Sequence, residues 1–223
     1  MSTVLITGCD AGIGREFAAQ CAKTGRKVIA TYRDIANKLS DDPNIRHFAL
    51  DVTSAEQFRT LKLALGDEPI DLLVSNAGIG LDSGELGKLD YAFVQQMIDV
   101  NTIGPLRLVE TFIDNVAASR ERRIAIVSSR MGSISLNLSG AHYGYRASKA
   151  GLNAIARSLA IDLFPRGVTV TLLHPGWVNT AGGAVGAQVP AEESVAGMLN
   201  VIARLGNHDT GQFYTFSGQP LPW

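Results

Sequence analysis

Tyr145 and Lys149 stand four residues apart in Tyr145-Arg-Ala-Ser-Lys149, a phenol and an ammonium at helical spacing. Positions i and i+4 share one face of a helix, so both side chains can reach one site. A free phenol titrates near ~10 and exchanges protons poorly at neutral pH. A neighbouring cation favours the phenolate, and each unit of lowered pKa corresponds to about 1.4 kcal/mol. Such a pair can give a proton to, or take one from, an alcohol or carbonyl oxygen. Spacing alone favours the plainer reading, a half-buried Tyr beside a solvated Lys. The rest of the chain reverses it.

The elements that must hold this pair are legible as an alternation. Short apolar runs at Val4–Thr7, Lys27–Tyr32, Arg46–Leu50, Leu72–Ser75, Ile124–Ser128, Val168–Leu173 and Gln212–Phe216 read as strands. Several are nearly continuous hydrophobic stretches, as in strands covered on both faces. Amphipathic stretches of helical length lie between them: Ile13–Thr24, Ala55–Leu65, Tyr91–Val100, Leu106–Ser119, Tyr143–Phe164 and Glu192–Arg204. This order predicts an α/β fold, a doubly wound parallel sheet with helices on both faces. Repeats, low-complexity tracts and linkers are absent, so one domain over residues 1–223 is expected. In such sheets ligands bind beyond the carboxyl ends of the strands, where strand order switches.

Bulk properties narrow the function class. The 223 residues are 46% hydrophobic, enough for a well-formed core. Twenty basic against 21 acidic residues leave a net charge of −1, which gives no electrostatic case for nucleic acid or an anionic membrane. Cys9 and Cys21 are the only cysteines, so a reducing compartment is the default. The first residues carry no basic leader, and no apolar run approaches the ~18 residues of a membrane span. A cytoplasmic protein is expected, with self-association left open. His47, His142, His174 and His208 lack metal-ligand spacing, so no metal is expected.

Motifs fall just after the strands, where a ligand site belongs. Thr7-Gly8-Cys9-Asp10-Ala11-Gly12-Ile13-Gly14 follows the first strand and opens the first helix. Its glycines permit a tight turn and let a pyrophosphate approach backbone N–H groups at a helix N-terminus. Asn76-Ala77-Gly78 follows the fourth strand and a Ser128-Ser129 pair ends the fifth. Asn101 lies in a helical stretch, and Pro175-Gly-Trp-Val178-Asn-Thr180 follows the sixth strand. These five motifs and the Tyr145/Lys149 pair, in their order along the chain, resemble a classical short-chain dehydrogenase/reductase from end to end. Finer wording, Tyr-Arg-x-Ser-Lys, His174-Pro-Gly-Trp-Val and Gly218-Gln-Pro-Leu-Pro-Trp223, resembles carbonyl reductases of the sniffer and C-factor type.

The resemblance implies a Rossmann-type, seven-stranded, mainly parallel sheet and hydride transfer between a nicotinamide and a carbonyl or carbinol carbon. By the same resemblance Tyr145 is the general acid or base, and Lys149 holds the nicotinamide ribose and lowers the Tyr145 pKa. Asn101 anchors a water of the proton relay, and Ser129 polarises the substrate oxygen. Ser128 and Ser133 compete with Ser129; adjacent strand residues point to opposite faces, so only one of the first two can serve. Gly8, Gly12, Ile13, Gly14, Asn76, Ala77, Gly78, Pro175, Val178 and Thr180 are expected around the cofactor. Asp51 and Val52 are expected at adenine, with helix capping by Asp51, Thr53 or Ser54 equally open.

Cofactor choice turns on the end of the second strand, where NAD enzymes place an acid on the ribose diol. Tyr32 stands there and Arg33 follows, and a guanidinium can pair with a 2′-phosphate. NADP is therefore favoured over NAD, although Asp10 would repel a phosphate if it pointed inward. Two other classes compete: a dinucleotide-binding signalling or redox-sensing protein with little turnover, and a sugar-nucleotide epimerase or dehydratase. The full Asn101, Ser129, Tyr145, Lys149 set opposes the first, and the short stretch after the seventh strand opposes the second. Finally, residues 181–189 hold three glycines and no aromatic or charged residue. Each glycine costs a helix about 1 kcal/mol, which predicts a short mobile loop over an open pocket lined by Arg130, Met131, Leu138, His142 and Trp177.

Overall fold

The computed structural model describes residues 2–80, 85–179, 186 and 188–223. In chain order the elements are β1 (Thr3–Ile6), α1 (Gly12–Lys23), β2 (Lys27–Tyr32), β3 (Ile45–Ala49), α2 (Ala55–Leu65), β4 (Leu72–Ser75) and α3 (Tyr91–Ile98). A π turn (Asp99–Ile103) leads into α4 (Gly104–Ala117), followed by β5 (Arg123–Val127), α5 (Tyr143–Leu163) and β6 (Thr169–His174). Two short strands, β7 (Val178–Asn179) and β8 (Val189–Pro190), precede α6 (Ala191–Arg204) and β9 (Gln212–Thr215).

Seven strands form one sheet in the order β3-β2-β1-β4-β5-β6-β9, and every pairing in it is parallel. Alternation along each strand decides which layer a side chain joins. Leu5, Ile29, Leu73, Ile124, Ile126, Val170 and Leu172 face α2, α4 and α5, meeting Phe58, Leu61, Phe112, Val116, Leu152 and Ala156. Val4, Ile6, Val28, Val74, Ala125 and Val127 face the other way, against Phe17, Ala18 and Cys21 of α1 and Val195, Met198 and Val201 of α6. Both faces are thus buried, which is why the strands read as apolar runs. The order reverses between β1 and β4, and the carboxyl ends of these strands carry Thr7-Gly8 and Asn76-Ala77-Gly78. No helix among the described residues is long and apolar enough to cross a membrane.

One expected break is absent. Tyr91–Val100 and Leu106–Ser119 were expected as separate helices, yet the helix runs from α3 through the π turn into α4. Pro105 sits at the start of α4, where its missing N–H costs least. Gly104 is there for packing: an added Cβ would lie 2.8 Å from Val52 Cγ2. π turns recur at functional sites, and this one holds Asn101.

Candidate active site

The turn between β1 and α1 is folded against the end of β4. Gly8 has φ 74, and a Cβ there would come within 2.8 Å of Ala77 Cα. A Cβ on Gly14 would collide with the Gly8 carbonyl and the Asn76 side-chain amide. Asn76 stitches the two ends together, its Nδ2 donating to Thr7 O at 2.9 Å and Gly8 O at 3.2 Å. The Asn76 and Ala77 N–H groups both donate to Thr7 Oγ1, at 3.0 and 3.1 Å. Helix α1 starts at this turn with no side-chain cap and no acidic residue in its first turn. Its N-terminal N–H groups and dipole are left to face an anion.

They open onto a cleft of about 640 Å³. Gly8, Asp10, Gly12, Ile13 and Arg33 line it, with Leu50, Asp51, Val52 and Thr53. Asn76, Ala77, Gly78 and Ile79 carry it onward, facing Ala92, Gln95, Gln96, Asp99 and Val100. A cleft with a glycine cradle and a bare helix N-terminus fits a dinucleotide.

At the Gly78 end stands the second cluster. A Cβ on Gly78 would lie 3.2 Å from Asn101 Oδ1 and 3.8 Å from Lys149 Nζ. Asn101 is wholly buried; its Oδ1 accepts from Ile79 N–H at 2.8 Å. Its Nδ2 donates to Ile79 O and to Ser148 Oγ, each at 3.1 Å. Both amide hydrogens are therefore spent on tying the loop after β4 to α5. Lys149 is buried and donates to Val127 O at 3.1 Å, with Nζ 5.9 Å from the Tyr145 ring centroid. Burial draws its ammonium down to about 8. Tyr145 is half-buried, and burial raises its phenol above the ordinary 10 while a hydrogen bond with Ser129 opposes the shift.

Residues 2–187 match the family model for short chain dehydrogenases. The chain is a short-chain dehydrogenase. It is 43% identical over 155 residues to the C-signal protein of Myxococcus xanthus, covering 70% of this chain and 93% of that one. The carbonyl reductase Sniffer of D. melanogaster superposes with a TM-score of 0.90 over the full length of both chains, at 27% identity. An NADPH-bound carbonyl reductase from chicken fatty liver gives a TM-score of 0.88 at 30% identity, covering 100% of this chain and 99% of that one.

In this short-chain dehydrogenase, the two neighbouring serines part company. Ser128 Oγ donates to Asn153 Oδ1 at 2.6 Å in the core, while Ser129 turns to the Tyr145 phenol and accepts Met131 N–H at 3.2 Å. Ser129→Ala is therefore expected to lower kcat ~10- to 100-fold with little change in melting temperature. Ser128→Ala leaves Asn153 Oδ1 without a donor and should cost about 1–3 kcal/mol in stability, with kcat nearly intact. Thermal melts and initial rates on both variants check the division, and the opposite pattern refutes it.

Asp51 and Val52, expected at adenine, line the cleft, and Asp51 does not cap α2. Asp51 Oδ1 accepts from Thr53 N–H and Oγ1 at 2.8 and 2.7 Å, while Ser54 Oγ caps α2 by accepting from Gln57 N–H at 3.3 Å. Pro175 and Val178 lie outside the cleft lining: Pro175 O accepts from Ser194 Oγ at 2.6 Å, and Val178 pairs with Val189. Thr180 falls outside the described residues, as does most of the 181–189 loop. Of its expected neighbours, Arg130, Leu138 and Trp177 are exposed, and Met131 lines a separate depression of about 210 Å³. The expected lowering of the Tyr145 pKa by Lys149 does not occur; desolvation dominates, and Lys149 Nζ is turned to the Val127 carbonyl. Sequence reasoning missed the α3 wall. Ala92, Gln95, Gln96 and Asp99 share one helical face, and a polar stripe at that spacing ordinarily reads as a solvated surface.

Proposed function

We propose that this short-chain dehydrogenase is an NADPH-dependent carbonyl reductase. The observation that carries the reading is a chain of neighbours: Gly78 of the cleft lining lies beside Lys149, Lys149 beside the Tyr145 ring, and the Tyr145 phenol bonds Ser129. When bound, the nicotinamide supplies a hydride to the carbonyl carbon. Tyr145 Oη gives its proton to the carbonyl oxygen as negative charge develops there, and Ser129 Oγ–H holds the same oxygen. A phenol raised by burial stays protonated at neutral pH, which suits donation in the direction of reduction. Lys149 supplies positive charge behind the phenol, and Asn101 holds the loop that carries Gly78.

NADPH is favoured because Arg33 lines the cleft just past β2, exposed and able to pair with a 2′-phosphate. Arg33→Ala should weaken NADPH binding by roughly 1.5–3 kcal/mol and leave NADH nearly unchanged. Equilibrium titration of both reduced dinucleotides decides this, and a wild-type preference for NADH refutes the assignment. The likeness to the C-signal protein favours a second reading, a dinucleotide-binding signalling protein with little turnover. Carbonyl-dependent oxidation of NADPH by the wild type separates the two.

A further inference from the structure

The turn after β1 is latched to the chain leaving β2 by one carboxylate. Asp10 Oδ2 accepts from the Arg33 N–H at 3.0 Å, and Asp10 Oδ1 accepts from the Asp34 N–H at 2.9 Å. The Arg15 guanidinium tightens the same corner, donating to Asp10 O at 3.2 Å and to Asn37 O and Lys38 O at 3.3 Å. Asp34 is spent locally, its Oδ1 accepting from Ala36 N–H at 3.0 Å. Asp10 and Arg33 both line the cleft, and the hydrogen bond between them holds them together there.

Two successive N–H groups beside a guanidinium make a ready nest for an anion. Here the protein fills that nest with its own charge. A phosphate on the 2′-oxygen would have to displace the Asp10 carboxylate or sit against it, and like charges at a few ångströms repel. A free 2′,3′-diol meets the reverse situation, because its hydroxyls can donate to a carboxylate. The position at the end of β2 that ordinarily supplies such an acid cannot do so in this chain. It is Tyr32, wholly buried, with its hydroxyl 2.9 Å from His47 Nδ1.

We infer that Asp10 is the specificity-determining residue that opposes Arg33, lowers the discrimination against the unphosphorylated dinucleotide, and lets the chain accept NADH as well as NADPH. The inference rests on the reading of the cleft as a nicotinamide dinucleotide site. Arg33 attracts the 2′-phosphate, Asp10 repels it and receives the diol, and the ratio of the two affinities reports their balance.

Equilibrium titration of the purified full chain with NADPH and with NADH, followed by nicotinamide fluorescence, tests this without turnover. Asp10→Asn should tighten NADPH about 10-fold or more and leave NADH unchanged or a few-fold weaker, shifting the ratio by at least about 10-fold. Asp10→Ser keeps a hydroxyl acceptor in the turn and should shift the ratio in the same direction; melting curves with wild-type midpoints confirm that the turn survives. Binding of both dinucleotides with equal factors in wild type and variants, or with an unshifted ratio, overturns the inference alone. A wild-type chain that binds neither dinucleotide instead overturns the reading on which it rests.

Discussion

Tyr145→Phe is expected to lower kcat for carbonyl reduction by ~10²- to 10⁴-fold while leaving the dissociation constant for NADPH within about 2-fold. The substitution removes one oxygen and leaves the ring on α5, so packing and the Lys149 contact to Val127 persist. Among the described residues, the hydrogen bond lost at the site is the one with Ser129. Because burial holds the wild-type phenol above its ordinary pKa, loss of the phenolic proton should not limit reduction near neutral pH, and the rate should instead fall as Lys149 loses its charge above about 8. A variant that retained most of its turnover would make Tyr145 a packing residue and remove the proton donor from the mechanism.

Lys149→Met should separate activity from stability. The ammonium is buried and drawn down from 10.5 to about 8. In a folded protein with a depressed basic pKa, burying the charge costs stability wherever the group is protonated in both states, here below about pH 8. Between about 8 and 10.5 the folded state releases the proton while the unfolded state keeps it, so unfolding takes up a proton and stability rises with pH across that window. Methionine has similar reach and no charge. The variant should lose this rise and be more stable at neutral pH by roughly 1–3 kcal/mol, with kcat lower by ~10²-fold or more. Denaturant melts across pH 7 to 11 on both proteins check the first part. Parallel slopes would show that Lys149 carries no such cost.

Much of this arrangement is written in residue order. The strands are legible because both faces of the sheet are covered, so Val4-Leu5-Ile6 is apolar throughout although Leu5 and its neighbours face opposite layers. The glycine turn, Asn76-Ala77-Gly78 and the Tyr145/Lys149 pair sit where strand ends and helical spacing put them. What sequence could not supply is burial. Four-residue spacing brings Lys149 near Tyr145, but only the fold shows that desolvation outweighs the cation and that Nζ bonds Val127 O. The gap left between Tyr91–Val100 and Leu106–Ser119 has a related cause: Gly104 answers a close contact with Val52, which no local pattern encodes. The two-residue strands β7 and β8 are too short to leave a periodicity.

The central claim is that the cleft and the Tyr145 cluster form one reductase site. It is tested most directly by mixing the purified chain with NADPH and a panel of aldehydes, ketones and quinones, and following loss of the reduced-nicotinamide absorbance. Carbonyl-dependent oxidation by the wild type, abolished in Tyr145→Phe while NADPH still binds, is the predicted result. Tight binding of NADPH with no carbonyl-dependent oxidation across the panel, or equal oxidation by the two proteins, would contradict it.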